Sequence, residues 1–96
     1  MTQEWAAKAN ELAREIRDGA NLTGSEKQIA WAKDIIQEFV FVASTSQFKT
    51  TEQDKAREFI AWVVKNHTAA KWWIDHRNMN YRFFDSLIED WEDEND

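Results

Sequence analysis

Apolar residues return every three or four positions along almost the whole chain, the period of an α-helix rather than of a strand. In the first segment Trp5, Ala9, Leu12 and Ile16 share one face, with Thr2 placed to cap it and Gly19 to end it. A second segment starts near Thr23 to Ser25 and carries Ile29, Ala32, Ile36, Phe39 and Ala43, widened by Trp31, Ile35 and Val42. So wide an apolar surface predicts a central helix, although "FVFVAS" taken alone also fits a short strand. The polar stretch "STSQFKT" leads to a third helix, capped by Thr50 or Thr51, with Ala56, Phe59, Ile60, Val63 and Val64 on its core face. Asn66-His67-Thr68 reads as a turn, with Thr68 as the next cap. Residues 69–93 make one kinked helix or two, with a break near Asn78 to Asn80 and a final stripe of Tyr81, Phe84, Leu87, Ile88 and Trp91. Without a repeat, a linker or a domain boundary, the pattern predicts one all-α domain over 1–96, a compact bundle of four to five helices.

Composition narrows the classes. The 96 residues include no proline and no cysteine, so disulfides and thiolate metal sites are excluded and a reducing, cytoplasmic setting is expected. The longest apolar run, Phe39 to Ala43, is far short of the roughly 18 residues of a membrane span, so no membrane role is expected. The N-terminal segment is amphipathic and mixed in charge, unlike a signal peptide. The two Asn-x-Thr sequons, at Asn21 and Asn66, then read as turn chemistry.

Charge changes the picture more. The net charge is −6, yet residues 85–96 hold seven acids and no base, leaving 11 acids against 12 bases in residues 1–84. The acidity is one segment. On a helical projection Asp85, Glu89, Glu92, Asp93 and Asp96 fall on one side, and Phe84, Ile88 and Trp91 on another. At about 1.5 Å per residue these five acids give about one charge per 3–4 Å of axis, close to the ~3.4 Å rise of a single DNA strand. Acids at a helix C-terminus oppose its dipole, so helix stability does not account for them.

"LTGSEKQ", residues 22–28, reads as a helix start. Thr23 with Glu26 can form a capping box, and so can Ser25 with Gln28, leaving the register open. An anion site at this helix start is the weaker reading, because Glu26 would repel the anion and a single Gly24 makes no phosphate loop.

Catalytic and metal chemistry finds little support. His67 and His76 are the only histidines, and no metal-ligand motif accompanies them. No serine carries a local nucleophile signature. We therefore expect no catalytic residues, no metal, no cofactor and no enzymatic activity. The six tryptophans fit a small bundle that needs large core side chains. Trp72 and Trp73 lie about 100° apart on a helix, so one faces the core and the other its edge or the solvent. With Arg77, Tyr81 and Arg82 they make a candidate aromatic and basic patch, either a protein-binding hot spot or a stacking platform for single-stranded nucleic acid.

"LTGSEKQIAWA" and "AKWWIDHR", about a fifth of the chain, resemble paired motifs of small uncharacterised proteins of bacteria and their phages. The resemblance implies an accessory gene of a phage or mobile element, a setting where inhibitors of host defence, anti-CRISPR proteins among them, are common. Joined to the acidic face, it leads us to expect a non-catalytic inhibitor in the bacterial cytoplasm. Its partner would be a nucleic-acid-handling protein such as a CRISPR effector, and it would bind no nucleic acid itself. The alternative is a small nucleic-acid-binding or regulatory module using the patch around residues 72–82.

Overall fold

In the computed structural model, which describes residues 3–94, helical periodicity becomes five α-helices: α1 (Gln3–Gly19), α2 (Glu26–Val42), α3 (Gln53–Asn66), α4 (Ala70–Asp75) and α5 (Tyr81–Glu94). A π-helical turn, Ala43–Gln47, continues α2, and a 3₁₀ turn, Thr50–Glu52, leads into α3. The fold is the expected all-α bundle. Its radius of gyration, 12.9 Å, is close to the ~12.5 Å of a compact globule of this length.

The wide apolar surface of α2 makes it the central element, packed against α1 and α4. Phe39 is its hub. Its ring lies parallel to Phe84 at 5.4 Å and edge-on to Trp73 at 5.3 Å, with Phe59 at 6.1 Å. One α2 side chain thus joins α3, α4 and α5, with Ile36, Val40, Ile60 and Val63 fully buried around it. "FVFVAS" is helix throughout and not strand. The Thr45 hydroxyl donates to the Phe41 carbonyl at 2.8 Å, a back-bond of the kind that distorts a helix. The π turn brings both Ala43 and Ser44 into the core, and the Gln53 amide, at the start of α3, donates to the Ser44 carbonyl at 3.0 Å.

The helix start in "LTGSEKQ" takes the later register. Ser25 Oγ accepts from the Gln28 N–H at 3.2 Å, and Gln28 Oε1 accepts from the Ser25 N–H at 3.1 Å. Thr23 and Glu26 do not form the box, because the Thr23 backbone has another task. Its N–H donates to the Thr68 carbonyl at 2.8 Å, and its carbonyl accepts from the Ala70 N–H at 2.9 Å. Ala70 is the first residue of α4, whose amide has no partner within the helix. The α1–α2 loop therefore caps α4 from outside, and the six-residue helix has Ala69 at its N-cap with no side-chain cap. Gly24 allows this approach: its φ is +142°, and a Cβ there would sit 3.3 Å from the Ala70 Cβ and 3.0 Å from Gln28 Oε1.

Two expected caps are corrected. Thr68 does not cap α4, because the N-cap position falls on Ala69 and Thr68 instead accepts from the Thr23 N–H through its carbonyl. Neither Thr50 nor Thr51 holds the α3 cap position, which belongs to Glu52, the last residue of the 3₁₀ turn. Thr2 lies outside the described residues. The break near Asn78 to Asn80 is real and separates α4 from α5, where Asn80 Oδ1 accepts from the Phe83 N–H at 3.0 Å. Tyr81 is not part of the core stripe: it stands at the solvent end of α5, 67% exposed.

Candidate functional site

Helix α5 rests on the bundle through Phe84 and Leu87, both buried, and Ile88 and Trp91, both half-buried. That fixes its rotation and turns Asp85, Glu89, Glu92 and Asp93 to solvent; Asp96, the fifth residue of the expected acidic face, lies outside the described residues. Among the described residues the ion pairs join Glu4 to Lys8, Arg17 to Asp18 and Lys71 to Asp75, so none reaches an acid of α5. Arg82, three residues before Asp85, is exposed and makes no such pair. Glu94 differs from its neighbours, because its carboxylate accepts from Trp62 Nε1 at 2.9 Å and fastens the end of α5 to α3.

The acidic surface continues beyond α5. A groove of about 450 Å³ runs between the start of α3 and the end of α5, lined by Phe48, Glu52, Lys55, Glu58, Trp91, Glu92 and Asp93. The Phe48 and Trp91 rings meet edge-on at 6.4 Å, and Trp91 also packs edge-on against Phe59 at 5.6 Å. An aromatic floor is thus bordered by four carboxylates and one ammonium. Phe48, Glu52 and Glu58 carry no local signature in the sequence; they join the acidic face only because α3 and α5 pack together.

The structure brings the expected aromatic and basic patch together only in part: Trp72 and Arg82 share a cleft of about 440 Å³ with Asp75, His76 and Phe83. Trp73 is corrected from candidate contact to core: it is 1% exposed, and its Nε1 donates to the His67 carbonyl at 2.8 Å. Trp72 is the residue at the edge. The His67 ring stacks on it at 3.7 Å and 11°, and the His76 ring at 4.4 Å and 28°. Both imidazoles thus pack on the indole of Trp72. Burial, and secondarily the charge of His76, holds the His67 pKa below its ordinary value. Asp75 is held below the usual carboxylate range, chiefly by its hydrogen bond from Lys71. Arg77 lies 5.5 Å over the ring of Trp31 while donating to the Ile74 carbonyl at 2.8 Å. Tyr81 and Arg82 remain exposed.

Trp31, placed by its spacing with the core or its margin, is 49% exposed. Its contact with Arg77 joins "LTGSEKQIAWA" to "AKWWIDHR" a second time, after the Thr23 bridge. The two motifs therefore form one packed unit, and the closest contacts between them are structural. Among the described residues no three His, Cys, Asp or Glu side chains are placed to share a metal ion, and no helix is long and apolar enough to cross a membrane.

No family model matches this chain, and no curated protein and no solved structure matches it either.

Proposed function

We propose that this protein is a non-catalytic inhibitor of phage or mobile-element origin that acts in the cytoplasm of a bacterial host. It binds a nucleic-acid-handling protein, such as a CRISPR effector, by laying the acidic face of α5 in a groove meant for DNA or RNA. The observation that carries this reading is the set of exposed carboxylates of Asp85, Glu89, Glu92 and Asp93, with no ion pair among the described residues. Eight residue steps separate the first from the last, about 12 Å of helix axis, so their spacing approaches that of backbone phosphates at ~3.4 Å per nucleotide. A basic groove offers such a row both steering and partners.

The test is cleavage of labelled target DNA by purified effector complexes of the host bacterium, with and without the protein. Inhibition that is lost when Glu89, Glu92 and Asp93 are changed to lysine supports the reading. Inhibition that survives the change removes the acidic face from the mechanism. The competing reading, a nucleic-acid-binding module, predicts that the protein itself retards labelled single strands in a low-salt gel shift; the inhibitor retards none.

A further inference from the structure

We propose that the groove between α3 and α5 is a receptor for one arginine side chain of the partner protein. The inference rests on the reading of this chain as a binder of a basic protein, and it assigns the point at which that protein is anchored.

Three observations define the occupant. The floor is aromatic, made by Phe48 and the half-buried Trp91, so the occupant presents a flat or apolar surface. The rim carries Glu52, Glu58, Glu92 and Asp93 against Lys55 alone, so the occupant is cationic. Glu52 and Glu58 come from the 3₁₀ turn and α3, and Glu92 and Asp93 from α5, so the acids stand on two walls. A point cation is therefore poorly served, whereas an extended cation that touches acids on both walls is well served. The volume of about 450 Å³ falls within the ~300–1,000 Å³ of ordinary ligand clefts.

Guanidinium fits these demands better than ammonium. It is planar, stacks on aromatic faces, and spreads five N–H donors in a fork that reaches carboxylates on more than one side. Lysine delivers a compact, strongly hydrated charge that uses the rim and gains little from the floor. The walls also differ in their supports. Glu52 accepts from the Lys49 N–H at 3.1 Å, so its carboxylate is already oriented by the backbone of the 3₁₀ turn. Glu58, Glu92 and Asp93 supply the remaining acceptors.

The test is an NMR titration of the full chain with the capped tripeptides Gly-Arg-Gly, Gly-Lys-Gly and Gly-citrulline-Gly, following the Trp91 indole N–H and the Phe48 ring protons. We expect saturable shifts of both probes with the arginine peptide, weaker ones with lysine, and none with neutral, isosteric citrulline. Glu58→Gln and Glu92→Gln change only exposed carboxylates, so the fold persists, and each should weaken arginine binding by about two- to fivefold, as the loss of one partly exposed ion pair does. Asp85→Asn and Glu89→Gln, on the acidic face but outside the groove, should leave it within error of wild type.

Shifts spread along all of α5, with equal loss from Asp85→Asn and Glu58→Gln, would overturn the proposal in favour of diffuse charge attraction. Identical binding of arginine and citrulline, or no saturable shift, would overturn it outright. If the arginine peptide fails while the effector is still inhibited, the groove assignment falls and the inhibitor stands. If the peptide binds and no effector is inhibited, the reverse holds.

Discussion

The amide of Ala70 donates to the carbonyl of Thr23 at 2.9 Å, so the first turn of α4 is completed by a loop that precedes α2. A six-residue helix without a side-chain cap is marginal by itself. Here its leading amide and its place against α2 depend on a residue far away in the sequence. Gly24 lets the loop pass close enough, and Ser25 starts α2 immediately after it.

From this arrangement the substitutions in the motif should rank in a definite order. Gly24→Ala meets both the unfavourable φ of +142° and the Ala70 side chain, and should cost about 1–3 kcal/mol, the range for backbone strain of this kind. Ser25→Ala removes the cap and should cost about 0.5–2 kcal/mol. Thr23→Ala should stay within about 0.5 kcal/mol, as surface substitutions do, because both main-chain bonds of the bridge survive and only the long, exposed bond from the Thr23 hydroxyl to the Thr68 carbonyl, at 3.4 Å, is lost. Urea denaturation measures all three. A Thr23→Ala loss as large as that of Ser25→Ala would contradict the assigned register.

What was legible in the sequence, and what was not, follows the same division. The α2 spacing of Ile29, Ala32, Ile36 and Phe39 is a local property of one helix and predicts its buried face correctly. The capping register was not legible, because Thr23-Glu26 and Ser25-Gln28 are equally good local boxes and a tertiary bridge to Thr68 decides between them. Trp72 and Trp73 could be separated only by the rotation of a short helix, which Phe39 and the His67 carbonyl fix. Trp31 shares the α2 periodicity yet stands partly in solvent, where Arg77 covers it. The acidic face of α5 could be projected from sequence alone. The groove beside it could not, since Phe48, Glu52 and Glu58 become its neighbours only through the packing of α3 on α5.

Phe39 and Phe59 should behave as one unit. Their rings lie 6.1 Å apart and both are fully buried. Phe59→Ala should cost about 3–5 kcal/mol and Ile36→Ala about 2–5 kcal/mol by leaving cavities. Circular dichroism of the intact chain should show a helical spectrum and cooperative unfolding. Two core mutants with wild-type urea midpoints would contradict the packing.

The two imidazoles packed on the Trp72 indole should make stability depend on pH near neutrality. Burial, with a smaller part from His76, holds His67 below its ordinary value of about 6.5. Between the two values the unfolded chain binds more protons than the folded one. The contribution of the neutral ring is therefore complete above about pH 6.5 and is lost as pH falls towards the lowered folded value. Asp75 acts in the same direction only at lower pH, because its lowered value lies beneath the ordinary carboxylate range. Urea midpoints should fall between pH 7.5 and 5.5, and His67→Gln should flatten that slope. A His67 ring that titrates above 6.5 by NMR would reverse the sign and refute the assignment.

The acidic face should separate stability from association. Changing Glu89, Glu92 and Asp93 to lysine leaves Phe84, Leu87 and the Trp62–Glu94 bond in place, so the bundle should still fold. Cations near a helix C-terminus are favoured by roughly 0.3–1 kcal/mol each at low salt, and relief of repulsion among neighbouring acids adds in the same direction, so the urea midpoint should hold or rise. Association with a basic partner should move the other way, because steering becomes repulsion. Its on-rate should drop by about tenfold or more at low ionic strength. Raising the salt should slow the wild-type on-rate and narrow the gap between the two proteins, since exposed charges are screened over about 8 Å at physiological ionic strength. Because Glu92 and Asp93 also line the groove, the pair Asp85→Lys and Glu89→Lys serves as the comparison: it reverses charge on the outer face alone and should slow association while leaving the dissociation rate nearly unchanged. Stopped-flow association at two salt concentrations measures both quantities, and equal on-rates for wild type and the triple variant would show that the row of carboxylates does not guide binding.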